Sequence, residues 1–332
     1  MDVALVIITV AVALIFGYTN GFHDASGAIA TSVATRALAP RIALMMTAAM
    51  NFVGALLGTG IAVTIGSRIV EVSADDGVTG IVVVLAALLG AMCWNVVTWW
   101  FGLPSSSSHA LIGGLAGAGL AAAFTVHWDV IGALVIVPMF IAPAAGFVLA
   151  LLLMKAIAKV FHNAPRKQAM RRFQAAQTIS AAAVALGHGL QDTQKIMGVI
   201  VIALVAGGYH DDTSIPLWVK LSAAAAISAG TYAGGWRIIK TVGTKIYPLN
   251  PAQGFAAETV SAGILYTTAF VFAAPISTTH TVVASVVGVG AATRRSAVRW
   301  NTAGSIVGAW LITPLASGMI ASVLALLLSQ LT

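Results

Sequence analysis

The stretch GFHDASGAIA, residues 21–30, recurs in altered form as GLQDTQKIMG at residues 189–198. The alignment places Asp24 in register with Asp192, which lies 168 positions further along the chain. Each stretch carries an acidic residue between glycines, inside a long apolar run. A repeated acid in such surroundings indicates that the chain consists of two related halves.

A second pair of motifs follows in the same order. The stretch PSSSSHALIGGLAGAG begins at Pro104, and PISTTHTVVASVVGVG begins at Pro275. Their alignment pairs His109 with His280 at a separation of 171 positions, close to that of the first pair. The two motifs occur in the same order in both halves, and the two pairs have nearly the same separation. Together they support an internal repeat more strongly than either match alone.

The composition indicates a membrane protein. Of the 332 residues, 59% are hydrophobic and 8% are charged, whereas soluble domains carry about 25% charged residues. Apolar runs of roughly 20 residues, enough to cross a bilayer as helices, recur along the chain. Segments such as IVVVLAALLGAMCWNVVTWWF, residues 81–101, are apolar on every face, which disfavours the alternating pattern of a transmembrane β-barrel. The sequence therefore predicts an all-α polytopic fold, with the run from Val3 retained as the first helix.

Four clusters of basic residues suggest the topology. They lie at residues 36–41, 155–172, 237–245 and 294–299, and the positive-inside rule places them in the cytoplasm. Threading the chain between them gives ten crossings of the cell membrane, with both termini outside. The predicted crossings are 3–35, 42–67, 77–102, 108–125, 130–154, 175–207, 216–236, 254–273, 277–293 and 302–328. The first and sixth are long and contain glycines and an aspartate, so each is predicted to break, giving ten to twelve helical segments.

The predicted repeats comprise residues 1–154 and 175–332, and a basic cytoplasmic linker at 155–174 joins them into one transport domain. An odd number of crossings separates the two copies, so the second is inverted relative to the first. Inverted repeats with broken or re-entrant helices are typical of secondary transporters, which bind substrate and ions between the repeats. The basic linker is interpreted as a topology signal at the lipid surface, and no nucleic-acid partner is expected.

Asp24 and Asp192 are the strongest functional candidates. A charged side chain at the centre of a membrane helix costs about 2.5–3.5 kcal/mol on insertion scales, so it normally faces a cavity or a partner. The alternative role is structural, either as a pair with Lys195 or as a cap on a broken helix.

The second motif predicts two helix starts, because Pro104 and Pro275 cannot continue a helix but suit the first turn of a new one. The hydroxyl residues that follow are Ser105, Ser106, Ser107 and Ser108 in one copy and Ser277, Thr278 and Thr279 in the other. Free N–H groups and the positive end of the helix dipole favour an anion there. Any one hydroxyl can equally be an ordinary N-cap. Two such starts, entering from opposite sides, would form a cradle for a tetrahedral oxyanion.

An anion in this cradle would be repelled by Asp24 and Asp192 unless a cation or proton entered with it. This requirement predicts symport with Na⁺ or H⁺. His109 and His280 are weaker candidates, for orienting the hydroxyls or carrying protons, with packing as an equal alternative. Glu258 is a candidate for a buried pair or a gate.

Six motifs together resemble the PiT family of inorganic phosphate transporters over nearly the whole chain. They are NGFHDASGAIATSVATRAL (20–38), WWFGLPSSSSHALIGGLAGAGL (99–120), HGLQDTQKIMGVI (188–200), GTYAGGWRIIKTVG (230–243), PISTTHTVVASVVGVGA (275–291) and VRWNTAGSIVGAWLITP (298–314). The resemblance implies low-affinity phosphate uptake by cation-coupled symport, in a membrane-embedded homodimer without enzymatic activity. Members of the family either couple to protons and carry phosphate as a neutral complex with a divalent metal, or couple to sodium.

The family signatures map onto particular residues of this chain. The Gly-x-Asn-Asp signature falls on residues 21–24 and 189–192, and the Pro-x-Ser/Thr-Ser/Thr-Ser/Thr-His signature on residues 104–109 and 275–280. The implied coupling-ion residues are Asn20, His23, Asp24, Gln191 and Asp192. The implied phosphate-binding residues are the seven hydroxyl residues above together with Gln194 and Lys195.

This chain departs from the signature at three positions. His23 and Gln191 replace the asparagines that precede the two aspartates, and Gly27 replaces a further frequent asparagine. The loss of an oxygen ligand at Gly27 favours proton or metal-phosphate coupling over sodium.

Three alternatives stay open at this point. A sulfate permease of the same family would bind another tetrahedral anion, and a passive anion channel would need a continuous hydrophilic pore. An intramembrane hydrolase is supported only by the SSSSH run. Ser108 and His109 are adjacent, so they point about 100° apart on a helix, which is a poor geometry for a nucleophile and its base.

Overall fold

The computed structural model describes residues 3–212 and 214–331, and only the backbone of Ala25, Ser26 and Ser67. The described chain is almost entirely helical, apart from loops and an isolated bridge between Val70 and Val126. The predicted all-α fold is confirmed. Residues 1, 2 and 332, on which the predicted placement of the termini depends, lie outside the described residues.

The helices follow the predicted crossings along the chain, but those of residues 77–102 and 108–125, and those of 254–273 and 277–293, form hairpins that turn back inside the molecule instead of crossing it. In chain order the helices are α1 (Val3–Ala34), α2 (Pro40–Ala55), α3 (Gly60–Arg68), α4 (Gly77–Phe101), α5 (Ser107–Ala121), α6 (Trp128–Ile131), α7 (Val137–Val160), α8 (Arg166–Ala206), α9 (Leu217–Ala233), α10 (Trp236–Lys240), α11 (Pro251–Phe270), α12 (Thr278–Arg294) and α13 (Trp300–Leu328).

Several of these spans are individually long and apolar enough to cross a membrane. Within the described residues they are Val3–Ala34, Ala74–Phe101, Trp128–Val160, Arg166–Ala206 and Trp300–Leu328. The pair of α2 and Gly60–Gly66, bent by 71°, passes the same test together. The other predicted crossings correspond to α5, α9, α11 and α12, which are shorter helices of 15 to 20 residues. The chain is a multi-pass helical membrane protein.

The predicted breaks in the first and sixth crossings are wrong. α1 runs for 32 residues through Asp24, and α8 runs for 41 residues through Asp192, both without interruption. The glycine of the first motif serves close helix packing instead, because a Cβ on Gly21 would lie 2.2 Å from the backbone oxygen of Ile227 in α9. Small residues at such contacts let membrane helices approach each other closely.

Gly189 has the same role in the second motif, where an added Cβ would lie 2.2 Å from the backbone oxygen of Asn51 in α2. The bend falls in the second crossing, at residues 56–59 between α2 and α3. There the side-chain oxygen of Gln194 accepts a hydrogen bond of 2.8 Å from the backbone N–H of Ile61, which satisfies a free donor in the first turn of α3.

The two long helices α1 and α8 run antiparallel through the centre of the molecule. Gly207, just after α8, packs against Val6 near the start of α1. Thr35, just after α1, donates a hydrogen bond of 2.7 Å to Gln177 near the start of α8. The end of α8 therefore lies beside the start of α1, and the end of α1 lies beside the first part of α8.

Two helical hairpins pack against this central pair. α4 and α5 form the first, whose ends are joined by a hydrogen bond of 3.1 Å from His127 N to Ile69 O. α11 and α12 form the second, whose ends are joined by a hydrogen bond of 3.0 Å from Arg299 N to Ile246 O. Each hairpin returns to the side of the molecule from which it enters.

The hairpins enter from opposite ends. Gly80, in the first turn of α4, packs against Ala206 at the end of α8. Gly243, shortly before α11, packs against Ala30 near the end of α1. Because α1 and α8 are antiparallel, these two contacts lie at opposite ends of the molecule, and the tips of the hairpins meet inside it.

Helices start at both tips, as predicted, but Pro104 and Pro275 lie two residues before the N-caps and not in the first turn. Ser106 is the N-cap of α5, and its hydroxyl accepts a hydrogen bond of 3.2 Å from His109 N. Ser277 is the N-cap of α12, and its hydroxyl accepts a hydrogen bond of 3.2 Å from His280 N. The capping alternative therefore holds for these two hydroxyls, while the hydroxyls of the following helical residues point to other partners.

Candidate substrate and cation site

Asp24 and Asp192 come together in the interior, between the starts of α5 and α12. Their side chains are 2% and 0% exposed. One oxygen of each carboxylate and one ring nitrogen of His188 all lie within 4.8 Å of one another. The two acids that the sequence pairs by repeat are therefore neighbours in space.

Donors from three helices surround Asp24. His23 Nδ1 lies 2.8 Å from its Oδ1, and Thr279 Oγ1 donates to the same oxygen over 3.1 Å. The hydroxyl of Ser107 donates to its Oδ2. Both hairpin tips thus reach the same carboxylate.

Asp192 has an ionic partner of its own. Lys195, one turn along α8, donates from its ammonium to Oδ1 over 2.5 Å. Thr278 Oγ1 donates to Oδ2 over 3.3 Å, and His188 Nε2 lies 3.0 Å from that same oxygen. The hydroxyl contacts repeat those of Asp24, because Ser107 and Thr278 are equivalent in the two motifs.

The Lys195 ammonium is buried at the meeting point of both hairpin tips. Besides Asp192, it donates to the hydroxyl of Ser108 and, over 3.1 Å, to the backbone oxygen of Ile276. The predicted pairing of Lys195 with Asp192 is present. Its positive charge also lies beside the hydroxyls predicted to hold the anion.

His23, where the chain departs from the family signature, connects Asp24 to the first hairpin. Its Nε2 lies 3.1 Å from Thr98 Oγ1, which in turn lies 2.8 Å from the hydroxyl of Ser105. Because Nδ1 faces a carboxylate, it donates to Asp24. Histidine here positions α1 against the tip between α4 and α5.

His188 is a site residue that the sequence analysis does not name. Thr231 Oγ1 donates to Ile227 O over 2.9 Å, so it accepts from the amide nitrogen of Asn51 at 2.7 Å. The amide oxygen of Asn51 therefore faces His188 Nδ1 at 3.1 Å, and this nitrogen carries the proton. Nε2 faces the carboxylate of Asp192, 3.0 Å from its Oδ2.

A signal for His188 is present in the sequence. It lies 168 positions after Asn20, so it is the repeat equivalent of a residue that the family resemblance selects. Together with two carboxylates, an imidazole nitrogen forms a donor set suited to a cation, including a divalent metal ion.

Asn20 lies one helical turn before Asp24, Gln191 directly precedes Asp192, and both are buried. Both amide atoms of Asn20 and the side-chain oxygen of Gln191 have no hydrogen-bond partner among the described residues. The nitrogen of Gln191 donates to Thr268 Oγ1 over 2.9 Å. Their coupling-ion role stays a prediction, and buried polar atoms of this kind are ones that a bound ion or water would satisfy.

The remaining predicted residues lie around the cluster. The side-chain oxygen of Gln194 accepts the hydrogen bond from Ile61 in α3, and its nitrogen donates to Leu190 O over 2.7 Å. Its predicted role in binding phosphate therefore stays a prediction. The rings of His109 and His280 lie 4.9 Å apart behind the two helix starts, and His280 stacks on Trp310 at 3.9 Å. These ring contacts fit the packing alternative, and the orienting or proton-carrying role of the two histidines stays a prediction.

Glu258 forms a separate buried network. Its carboxylate accepts hydrogen bonds from Thr31 Oγ1 at 2.6 Å, Gln177 Nε2 at 3.0 Å and Ser180 Oγ at 2.5 Å. Thr31 lies two helical turns beyond Asp24 along α1, roughly 10 Å at 1.5 Å per residue. Glu258 thus joins α11 to α1 and α8 on the side of the cluster where the second hairpin enters.

Comparison with known proteins agrees with this arrangement. A family described as the phosphate transporter family matches residues 20–321. A Rhizobium meliloti protein named "probable low-affinity inorganic phosphate transporter" is 46% identical over 321 residues, covering 94% of this chain and 93% of its own. A Bacillus subtilis protein with the same name is 42% identical over 317 residues and covers 94% of both chains.

A solved structure titled "The sodium-dependent phosphate transporter" has the same fold, with a TM-score of 0.89 at 23% identity, over 99% of this chain and all of the other. The family and the relatives are transporters, so the hydrolase alternative is excluded and the prediction of a non-enzyme is confirmed. The family match over nearly the whole chain, and two relatives above 40% identity, establish that the chain belongs to the phosphate transporter family.

Proposed function

We propose that the chain takes up inorganic phosphate at low affinity, by symport with a cation, across the cell membrane. The observation that carries this proposal is the convergence of the starts of α5 and α12 on Asp24, Asp192 and Lys195. Helix starts supply free N–H groups and a positive dipole end for an oxyanion. The names of the two bacterial relatives support phosphate as that oxyanion.

The hydroxyl contacts suggest how cation and phosphate binding are coupled. The hydroxyls of Ser107 and Thr279 each have one hydrogen, and both donate it to the carboxylate of Asp24. A cation placed against Asp24 attracts the hydroxyl oxygens by their lone pairs, so the hydrogens turn away. They are then free to donate to phosphate at the same helix starts. Cation binding therefore prepares the anion site.

The arrangement of the molecule follows from the same proposal. Residues 1–154 and 175–332 are inverted repeats joined by the basic linker 155–174, and the opposed entry of the two hairpins supports this division. The protein is a homodimer in the lipid bilayer, with both termini outside. The coupling ion is H⁺ or Na⁺, and a divalent metal can accompany phosphate at the donor set of Asp24, His188 and Asp192.

Reconstitution tests the proposal. The purified protein is inserted into phosphate-free liposomes, and labelled phosphate is followed under an imposed pH gradient, an Na⁺ gradient, or with Mg²⁺ on both sides. We expect accumulation above equilibrium under at least one cation gradient, with loss of accumulation in Asp24→Asn. Equilibration without accumulation would indicate a passive channel, and stronger inhibition by sulfate than by unlabelled phosphate would indicate a sulfate permease. Lack of entry under every gradient would refute phosphate transport.

A further inference from the structure

The position of the Lys195 ammonium has the chemistry of an alkali-cation site. Lys195 is 1% exposed, and three oxygens surround its nitrogen: a carboxylate oxygen of Asp192, the hydroxyl of Ser108 and the backbone oxygen of Ile276. Ile276 lies in the unwound segment before α12. Carboxylates, hydroxyls and carbonyls of unwound segments are the ligands that hold Na⁺ in transporters.

The internal repeat defines an equivalent position beside the other aspartate. By the offsets of the two motif pairs, Asp24 corresponds to Asp192, Thr279 to Ser108, Ser105 to Ile276 and Gly27 to Lys195. A Cβ on Gly27 would meet nothing closer than Val282, at 3.7 Å. The first half therefore has the same oxygen types at the equivalent positions, but a glycine where the second half has a lysine.

The equivalent hydroxyls of Ser108 and Thr279 have different orientations, as expected if a cation lies beside only one of them. Ser108 accepts from the ammonium of Lys195, and its hydrogen points to Ile276 O at 3.3 Å. Thr279 instead donates its hydrogen to Asp24 over 3.1 Å. In the second half the hydroxyl already has the orientation that a neighbouring cation imposes, with its lone pair on the charge and its hydrogen elsewhere.

The cluster also has an uneven charge. One ring nitrogen of His188 and one oxygen of each carboxylate, of Asp24 and of Asp192, lie within 4.8 Å of one another. Lys195 neutralises one of these two carboxylates through its ion pair with Asp192. A buried carboxylate without a counter-charge is strongly unfavourable, so Asp24 needs a positive charge beside it, from a bound cation or from the protonated ring of His23 at 2.8 Å.

We propose that the ammonium of Lys195 is a tethered cation that permanently fills one of two equivalent cation positions. The other position, bounded by Asp24, Thr279 and the backbone oxygen of Ser105, then takes the mobile monovalent cation that travels with phosphate. The inference rests on the proposed phosphate symport. It adds that the two equivalent positions take only one mobile cation in each transport cycle, because the Lys195 ammonium fills the other.

The test compares wild type with Lys195→Gly, which copies Gly27 and opens the second position to a free ion. Phosphate uptake is measured in proteoliposomes at fixed pH, in Na⁺ and in choline media. We expect Lys195→Gly to lose uptake in choline by at least about tenfold and to regain it in Na⁺, with a steeper Na⁺ dependence than wild type. An unchanged Na⁺ requirement in this variant would overturn the inference.

Lys195→Met is the matched control. Methionine fills most of the volume of lysine but carries no charge, so it blocks the position without supplying or admitting a cation. Na⁺ is therefore expected to restore Lys195→Gly and not Lys195→Met. If Lys195 were simply a ligand of phosphate, both variants would lose uptake alike and Na⁺ would rescue neither, which would also overturn the inference.

A binding measurement separates this inference from the transport proposal. Labelled Na⁺ is titrated onto purified wild type and Lys195→Gly, each checked as monodisperse in detergent. One additional bound Na⁺ per chain is expected in the variant, and equal binding would refute the tethered cation even where uptake is lost. If wild type carries no phosphate, the proposed function fails, while the difference in Na⁺ binding still decides the role of Lys195.

Discussion

Thr279 donates a hydrogen bond to Asp24 Oδ1 over 3.1 Å, although the two residues are 255 positions apart in the chain. The contact joins the start of α12 to the middle of α1. Ser107, at the start of α5, donates to the other oxygen of the same carboxylate. The groups that would bind an anion are therefore in direct contact with the group that would bind its counter-ion, and occupancy of one site changes the donors available to the other.

Thr279→Val tests this contact. Valine keeps the shape of the side chain but removes its hydroxyl, so a donor to both Asp24 and phosphate is lost. A hydrogen bond to a charged group contributes about 1.5–3 kcal/mol, which corresponds to a rise of roughly tenfold or more in the phosphate concentration for half-maximal uptake. The measurement is the concentration dependence of labelled phosphate uptake.

Thr267→Val is the control for that variant. Thr267 is exposed on α11, and its hydroxyl donates to Gly263 O of its own helix over 2.8 Å. Its replacement should leave phosphate affinity unchanged. Equal effects of the two substitutions would argue against a hydroxyl cradle at the helix starts.

Asp192→Asn should destabilise the protein as well as stop uptake, because it leaves the buried ammonium of Lys195 without its carboxylate partner. Removing one member of a buried ion pair typically costs about 3–5 kcal/mol. The double variant Asp192→Asn with Lys195→Met removes both charges and should recover most of the lost thermal stability in detergent, while uptake stays absent. A double variant no more stable than Asp192→Asn would show that the pair is energetically unimportant.

Gly21→Ala should lower thermal stability, because its Cβ would lie 2.2 Å from a backbone oxygen of α9 and force the helices apart. Gly304→Ala on α13 is the control, since a Cβ there meets nothing within 4 Å. Alanine is favoured over glycine inside a helix by about 0.5–1 kcal/mol, so the control should be neutral or slightly stabilising. If Gly21→Ala behaved like the control, close helix contact would not explain this glycine.

Asn51→Leu should weaken cation binding, although Asn51 itself is not one of the proposed cation ligands. The amide oxygen of Asn51 accepts a hydrogen bond from Nδ1 of His188 and so holds the ring with Nε2 towards the cluster. Loss of such a supporting hydrogen bond typically reduces metal affinity about 10–100-fold. The expected result is a matching rise in the cation concentration for half-maximal phosphate uptake. Thr47→Val, one turn earlier on α2, should leave it unchanged, because the Thr47 hydroxyl has no partner among the described residues.

The part of the site that could be predicted from sequence depends on local chemistry. An aspartate in an apolar run and a proline followed by hydroxyls are informative wherever the rest of the chain lies, because burial cost and helix initiation act within a few residues. Asp24, Asp192, Ser107 and Thr279 were found in this way. His188 was within reach as the repeat equivalent of Asn20, since equivalence needs only the alignment of the two motifs.

The part that could not be predicted depends on partners far away in the chain. The sequence around Gly21 is compatible with a helix break and with close packing of a neighbouring helix. Only the position of Ile227 in the folded protein shows that close packing is the reason for this glycine. Glu258 likewise gives no sign in the sequence that its described partners are three neutral donors from α1 and α8.

The sequence by itself determined a multi-pass helical protein, the repeat of its two motifs, the intramembrane acids and the helix starts, because apolar length, proline and charge act locally. The tertiary structure alone decided that α1 and α8 stay continuous, that two hairpin tips meet at their aspartates, and that the ammonium of Lys195 lies among oxygens of Asp192, Ser108 and Ile276. These features arise from close packing between segments more than 80 residues apart, and no local pattern records which surfaces will meet.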